Sequence, residues 1–186
     1  MIWVLLFFCY NRSMKNFYDV YENHAELPYF APHYQEELLK KPIPKRNMVR
    51  TAESLLPGHI IMLWRISFGT YTNQSSHHKY FYTSYGIDAQ KELDWLIQEN
   101  YVRLNTAFES LKHLAVPKLK EFLQLQHVKG LSKMKRLDAE KTLAQLYSNE
   151  ELEALFDLRG YQLTDKGRAV LERHPDIVAK HPQKKF

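Results

Sequence analysis

The chain has a single cysteine, Cys9, only six glycines, and no apolar run longer than Ile2 to Tyr10. One thiol cannot form an intramolecular disulfide, so packing alone must hold the fold, and a reducing cytoplasm is the compartment expected. A nucleophilic Cys9 would need a partnered histidine or a cationic setting, and the sequence supplies neither. The apolar run of nine residues is less than half of the roughly 20 that cross a bilayer as a helix. Arg12 and Lys15 follow it, whereas a secretory signal places its charges first. No membrane partner is expected. Residues 1–13 read as an upstream extension ahead of Met14, with a buried N-terminal strand and a weak membrane-surface anchor as the alternatives.

The glycines build no phosphate loop, no Gly-x-Gly-x-x-Gly turn and no Gly-x-Ser-x-Gly elbow. Histidines do not gather either. His77 and His78 are adjacent, His174 and His181 are separated by Pro175 among others, and no cysteine or spaced carboxylate completes a metal set. Glu150, Glu151 and Glu153 stand near a predicted helix start, where the dipole favours them without any catalytic role. There is no tandem repeat and no low-complexity tract. The expectation is a non-enzymatic protein with no metal and no small-molecule cofactor.

What is present is ordinary globular composition, 45% apolar and 25% charged over 186 residues, and an uneven charge. The formal net charge is +5. Residues 112–137 carry Lys112, Lys118, Lys120, Lys129, Lys133, Lys135 and Arg136 against Glu121 alone, while residues 138–172 hold eight acids against four bases. The tail from residue 173 is basic again. A cationic surface confined to one short unit is the footprint of a nucleic-acid contact, with a solvated face or an acidic protein partner as the alternatives.

Periodicity predicts a mainly α protein with a minor β component. Two turns of helix are expected over 34–40, then an extended connector from Lys40 to Arg46, broken by Pro42 and Pro44. Asn47 is expected to cap a helix that Pro57-Gly58 ends. Residues 60–68 fit a helix or a buried strand. Lys79 to Tyr85 has the aromatic and threonine content of a strand, whose rings form core or stack on bases. Asp88 caps a helix with Ala89, Leu93, Leu96 and Ile97 on one face, leaving Trp95 to a second layer or a partner.

Further on, Val116, Leu119, Phe122 and Leu123 form the inner face of a helix with Pro117 in its first turn. A second helix over about 133–147 places Met134, Leu137, Ala144 and Tyr147 inward, with Leu143 and Leu146 widening that side. Lys133 and Arg136 are expected on its solvent side. The loop from Gln126 to Ser132 ends at the start of this helix, where backbone N–H groups suit a phosphate. Asn149 caps a third helix with Leu152, Leu155 and Phe156 inside. A short extended piece at Tyr161 and a helix capped by Thr164 follow.

The segment Leu114-Ala115-Val116-Pro117-Lys118-Leu119-Lys120-Glu121-Phe122-Leu123, with the loop and Lys133-Met134-Lys135-Arg136-Leu137 after it, resembles a divergent SAP domain. That family is a small helix–loop–helix unit that binds DNA, often in AT-rich regions. Leu119, Lys120, Glu121 and Leu123 match its first helix. Gly130 sits a few residues ahead of the usual glycine, and Lys135-Arg136 replaces a small-acidic pair. The flanks Tyr85-Gly86-Ile87-Asp88 and Leu163-Thr164-Asp165-Lys166-Gly167 resemble uncharacterised SAP-bearing proteins of bacterial and phage genomes, and the second is also common in winged-helix proteins.

The resemblance implies a helical, winged-helix-like body with an inserted SAP-like helix–loop–helix. Its regions would be 14–110, a basic unit over 111–148, and 149–186. DNA is the partner implied, met by Lys118, Lys120, Lys129, Lys133, Lys135 and Arg136, with Lys166 and Arg168 as lesser contacts. The rival functions are a protein–protein adaptor or inhibitor that uses the basic face, and a structural component assembled through the aromatic N-terminal half.

Overall fold

The structure, a computed structural model, describes residues 17–182. The readings of residues 1–13 and of Cys9 lie outside them. The described chain is mainly helical with one small two-stranded sheet, and it divides into two compact units. Of the described residues, the first comprises 17–64, 76–101 and 165–182; the second comprises 65–75 and 102–164.

In the first unit, residues 17–21 are helical and bury Phe17 and Tyr21. The Tyr21 hydroxyl donates to the Leu38 carbonyl at 2.9 Å and accepts from the Ile43 N–H at 3.0 Å. One phenol thus ties helix α1 (Gln35–Lys40) to the proline-containing connector after it, and burial raises its pKa. Asn47 does not cap a helix. Its amide donates to the Ser84 carbonyl at 2.7 Å, and residues Lys45–Met48 make only a 3₁₀ turn.

The helix expected to end at Pro57 is absent, and the 60–68 run, which fits a helix or a buried strand, is a helix that Pro57 starts: α2 runs Pro57–Ser67. Proline is well suited to a first helical position because its missing N–H is not needed there. His59 completes the start, its Nδ1 accepting the Leu56 N–H at 3.1 Å. An acceptor at Nδ1 puts the ring proton on Nε2, which faces a Glu92 carboxylate oxygen at 2.8 Å. That hydrogen bond holds Glu92 below the usual carboxylate range. Both ring nitrogens of this buried histidine are therefore occupied by structure. Ile60, Ile61, Met62 and Leu63 are all fully buried, which explains why the 60–68 run is apolar with no clear stripe.

Lys79 to Tyr85 is not a strand. Residues Tyr80–Thr83 form the short helix α3, with Ser84 and Tyr85 N–H groups both bonded to the Tyr80 carbonyl. Phe81 and Tyr85, four apart, share its buried face. Tyr80 packs edge-on against His181, and Tyr82 lies beside Tyr34 and Tyr29; these rings are packed together rather than presented for stacking. α4 (Ala89–Gln98) is capped by Asp88 as expected, and buries Ala89, Leu93 and Leu96. Trp95 stacks on the His59 ring at 5.2 Å.

Two last helices complete this unit, α9 (Asp165–Arg173) and α10 (Pro175–Ala179), numbered after those of the second unit. Gly167 lets α9 approach so closely that a Cβ there would sit 2.1 Å from the Tyr101 carbonyl oxygen. Glu53 accepts from Arg173 and pairs with His174, both at 2.8 Å, and its pKa falls to about 2, chiefly through His174.

In the second unit β1 (Val102–Leu104) pairs antiparallel with β2 (Tyr161–Leu163), Val102 opposite Leu163. Between these strands lie α5 (Ala107–Ser110), α6 (Val116–Leu125), α7 (Arg136–Leu146) and α8 (Asn149–Leu155). Capping boxes start α5 (Thr106 with Glu109) and α8 (Ser148 with Glu151), so the α8 cap is Ser148 and not Asn149. The core is Ala107, Leu111, Leu119, Phe122, Leu123, Ala139, Leu143, Tyr147 and Leu152.

The phase predicted for α7 is shifted. Residues Leu131–Lys133 form a 3₁₀ turn and α7 starts at Arg136, so Ala139 and Leu143 point inward. Leu137 is 60% exposed and Ala144 is also on the surface. Tyr147 is buried as expected, its hydroxyl donating to the Phe122 carbonyl at 2.8 Å.

The Gly167 contact is with backbone, which cannot swing aside. Gly167→Ala should therefore cost about 1–3 kcal/mol, the usual range for overpacking, read as a lower urea midpoint with an unchanged slope. A midpoint equal to that of the parent would show that α9 can shift away from Tyr101.

Candidate nucleic-acid interface

The basic segment is built on the α6–α7 pair. Pro117 sits in the first turn of α6, and Leu119, Phe122 and Leu123 face the core. After Leu125 the chain turns back through two left-handed residues, His127 (φ 56°) and Gly130 (φ 78°). Val128, Leu131 and Met134 pack part-buried against the same core. The lysines that alternate with these anchors, Lys129, Lys133 and Lys135, are exposed, and their side chains make no hydrogen bond or ion pair among the described residues. Alternation of apolar anchors with lysines thus projects three ammonium groups from a loop held at three points.

Lys135 is also the residue before α7, and no side chain caps that helix. Its first backbone N–H groups and the positive end of its dipole are left for solvent or an anion. Asp138 is the acid of its first turn.

The other three cations expected in the interface are occupied. Lys118 pairs with Glu121 at 2.8 Å and lies 5.0 Å from the Phe122 ring centre. Lys120 reaches the Ser132 carbonyl at 3.3 Å. Arg136 is the most committed: its fork donates to the Leu114 carbonyl at 2.6 Å, to Glu140 at 2.8 Å and to the Lys112 carbonyl at 3.5 Å. These carbonyls lie in the 3₁₀ turn Leu111–His113 and just after it, so Arg136 fastens α7 to the chain entering α6. It does not stand free on the solvent side, as its position in the sequence had led us to expect. The Arg136–Glu140 spacing of four was a legible signal; the carbonyls, distant in sequence, were not.

Of the lesser candidates, Lys166 donates to the Glu99 carbonyl at 2.7 Å over the Tyr101 ring, and Arg168 pairs with Asp165. The histidines are dispersed: His77 meets Gln90, His174 meets Glu53, and His181 meets the Tyr85 hydroxyl at 2.7 Å, while His78 stacks on Tyr80. Among the described residues no three His, Cys, Asp or Glu side chains gather as a metal site, and no helix is long and apolar enough to cross a membrane.

His113, just ahead of α6, has its Nε2 buried without a partner, facing Gly160. Burial, and then the neighbouring Lys112, hold its pKa below the ordinary imidazole value. No protein-family model, curated protein sequence or solved structure matches the chain.

Two expectations follow for this unit. Arg136→Ala should lower its stability by about 1–2 kcal/mol, the worth of charge-assisted hydrogen bonds on a part-exposed side chain, whereas Lys133→Ala should change it by less than about 0.5 kcal/mol. Denaturant titrations of the two variants decide this, and equal midpoints would show the Arg136 bonds to be idle. For His113 the folded state disfavours the proton. As pH falls below the ordinary imidazole value of 6.5, the unfolded chain takes up a proton that the folded one refuses, and stability drops. His113→Gln should remove part of the difference in melting temperature between pH 7.5 and pH 5.5; an undiminished difference would assign it to other groups.

Proposed function

We propose that this chain is a non-enzymatic DNA-binding protein that grips the phosphate backbone with Lys129, Lys133 and Lys135 at the uncapped start of α7. The observation that carries the reading is the set of three exposed, unpartnered lysines within seven residues, on a loop pinned by Val128, Leu131 and Met134. Ammonium groups act on phosphates as point charges, and helix N–H groups add directed donors. Such contacts position a protein on a duplex without reading its sequence. Lys118, Lys120 and Arg136 serve mainly to hold the α6–α7 pair in shape.

The reading agrees with the SAP-like pattern of the α6–α7 sequence, and the run from β2 into α9 carries the winged-helix-like motif. A cytoplasmic protein of bacterial or phage type is the context that these resemblances suggest. A second reading is favoured by Leu125 and Leu137, 59% and 60% exposed on the same two helices: a protein adaptor whose partner offers acids around an apolar contact.

If three lysines meet phosphates, log affinity for duplex DNA should fall against log salt with a slope of about −2.7. Lys133→Ala with Lys135→Ala should flatten that slope by nearly two units and weaken all sequences alike. Lys166→Ala with Arg168→Ala should leave it unchanged. Should the last pair abolish binding while the first does not, the contact lies on the flank. No binding of any duplex at low salt would leave the adaptor reading.

A further inference from the structure

A cleft of about 560 Å³ opens in the first unit, to which the α6–α7 lysines do not belong. Its walls are the connector after α1, the end of α3 and helix α10. The volume falls within the range of about 300–1,000 Å³ in which small ligands are held. Residues 41–46, which the sequence suggested were a solvated spacer, supply much of its lining.

The charges in this cleft are not balanced. Of its cations, Arg50 is paired with Glu26 and also donates to the Ser54 carbonyl, and Lys180 is paired with Asp176, the one acid among the described lining residues. The side chains of Lys41 and Arg46 are exposed and make no hydrogen bond or ion pair among the described residues. Arg46 is near enough to the cleft's Tyr85 to act on its phenol, pulling the pKa down against the burial that carries it to about 12. The same lining has an apolar part, Pro42, Pro44 and the half-exposed Val49. Ser84 adds a hydroxyl to the lining.

Two unpartnered cations beside an apolar wall select for a ligand with two negative charges and an apolar body. We propose that this cleft binds a small organic phosphate monoester, its phosphate between Lys41 and Arg46 and its apolar part against Pro42, Pro44 and Val49. A planar guanidinium and a mobile ammonium together suit the three terminal oxygens of such a dianion. The apolar wall adds what inorganic phosphate cannot use.

The test is calorimetric titration of the full chain with phenyl phosphate, beside inorganic phosphate and phenol. One saturable site is expected for phenyl phosphate, at least about tenfold tighter than either half. Lys41→Ala with Arg46→Ala should weaken it by about tenfold or more, with an unchanged melting temperature, since neither side chain bonds to the fold. Val49→Glu should weaken it by placing a like charge beside the phosphate. The lysine pair that tests DNA binding, Lys133→Ala with Lys135→Ala, should leave it intact, so this proposal stands or falls separately from the DNA-binding reading. Absence of saturable heat, equal affinity for inorganic phosphate, or binding untouched by loss of Lys41 and Arg46 would overturn it.

Discussion

The antiparallel ladder between Val102–Leu104 and Tyr161–Leu163 is the constraint on which the second unit depends. It brings together two pieces of chain far apart in sequence and closes residues 105–160 into one large loop, at a closure entropy that grows only slowly with length. Gly160 stands at its edge. The Gly160 carbonyl accepts the Asn105 N–H, its own N–H donates to the Ser110 hydroxyl, and a bridge joins it to Thr72. A side chain there would collide with His113. Three strand residues on each side hold little on their own; they persist because the helices between them bury a shared core. Leu119, Phe122, Leu123, Leu143 and Leu152 each contribute about 1.5–3 kcal/mol of transfer free energy.

Within that frame the charged residues divide by what they touch. Arg103 and Glu109 form a two-point pair that drops the Glu109 carboxyl to about 2. Arg136 serves backbone carbonyls and Glu140. These are guanidiniums, whose rigid forks suit shaped, multi-point contacts. Lys129, Lys133 and Lys135, by contrast, are exposed lysines on flexible stems whose side chains meet no partner among the described residues. Net charge does not distinguish the two groups; the partner list does.

Much of the architecture was legible in local sequence. The Asp88 cap, the inward faces of α4 and α6, the proline in the first turn of α6 and the short strand at Tyr161 all rest on interactions between residues a few positions apart, or on a steric property of one residue. The concentration of positive charge on residues 112–137 was equally plain, because it is a property of composition. The position of the lysine-bearing loop between two short helices came from the same pattern.

Much of what the chain could not disclose depends on contacts distant in sequence. The aromatic run at Lys79–Tyr85 has strand composition, but with no strand to pair with it turns into a helix that buries Phe81 and Tyr85 together. Pro57 starts α2 because His59 supplies the missing cap. A 3₁₀ turn at Leu131–Lys133 delays α7 and moves Leu137 to the surface. Arg136 is held by the carbonyls of Lys112 and Leu114, and Lys41 and Arg46 line a cleft whose far wall is α10. Composition and spacing determined which residues were charged, apolar or able to cap a helix. Tertiary structure alone decided which cations were already satisfied, because a hydrogen bond to a backbone carbonyl more than twenty positions away leaves no trace in the side chains that flank it.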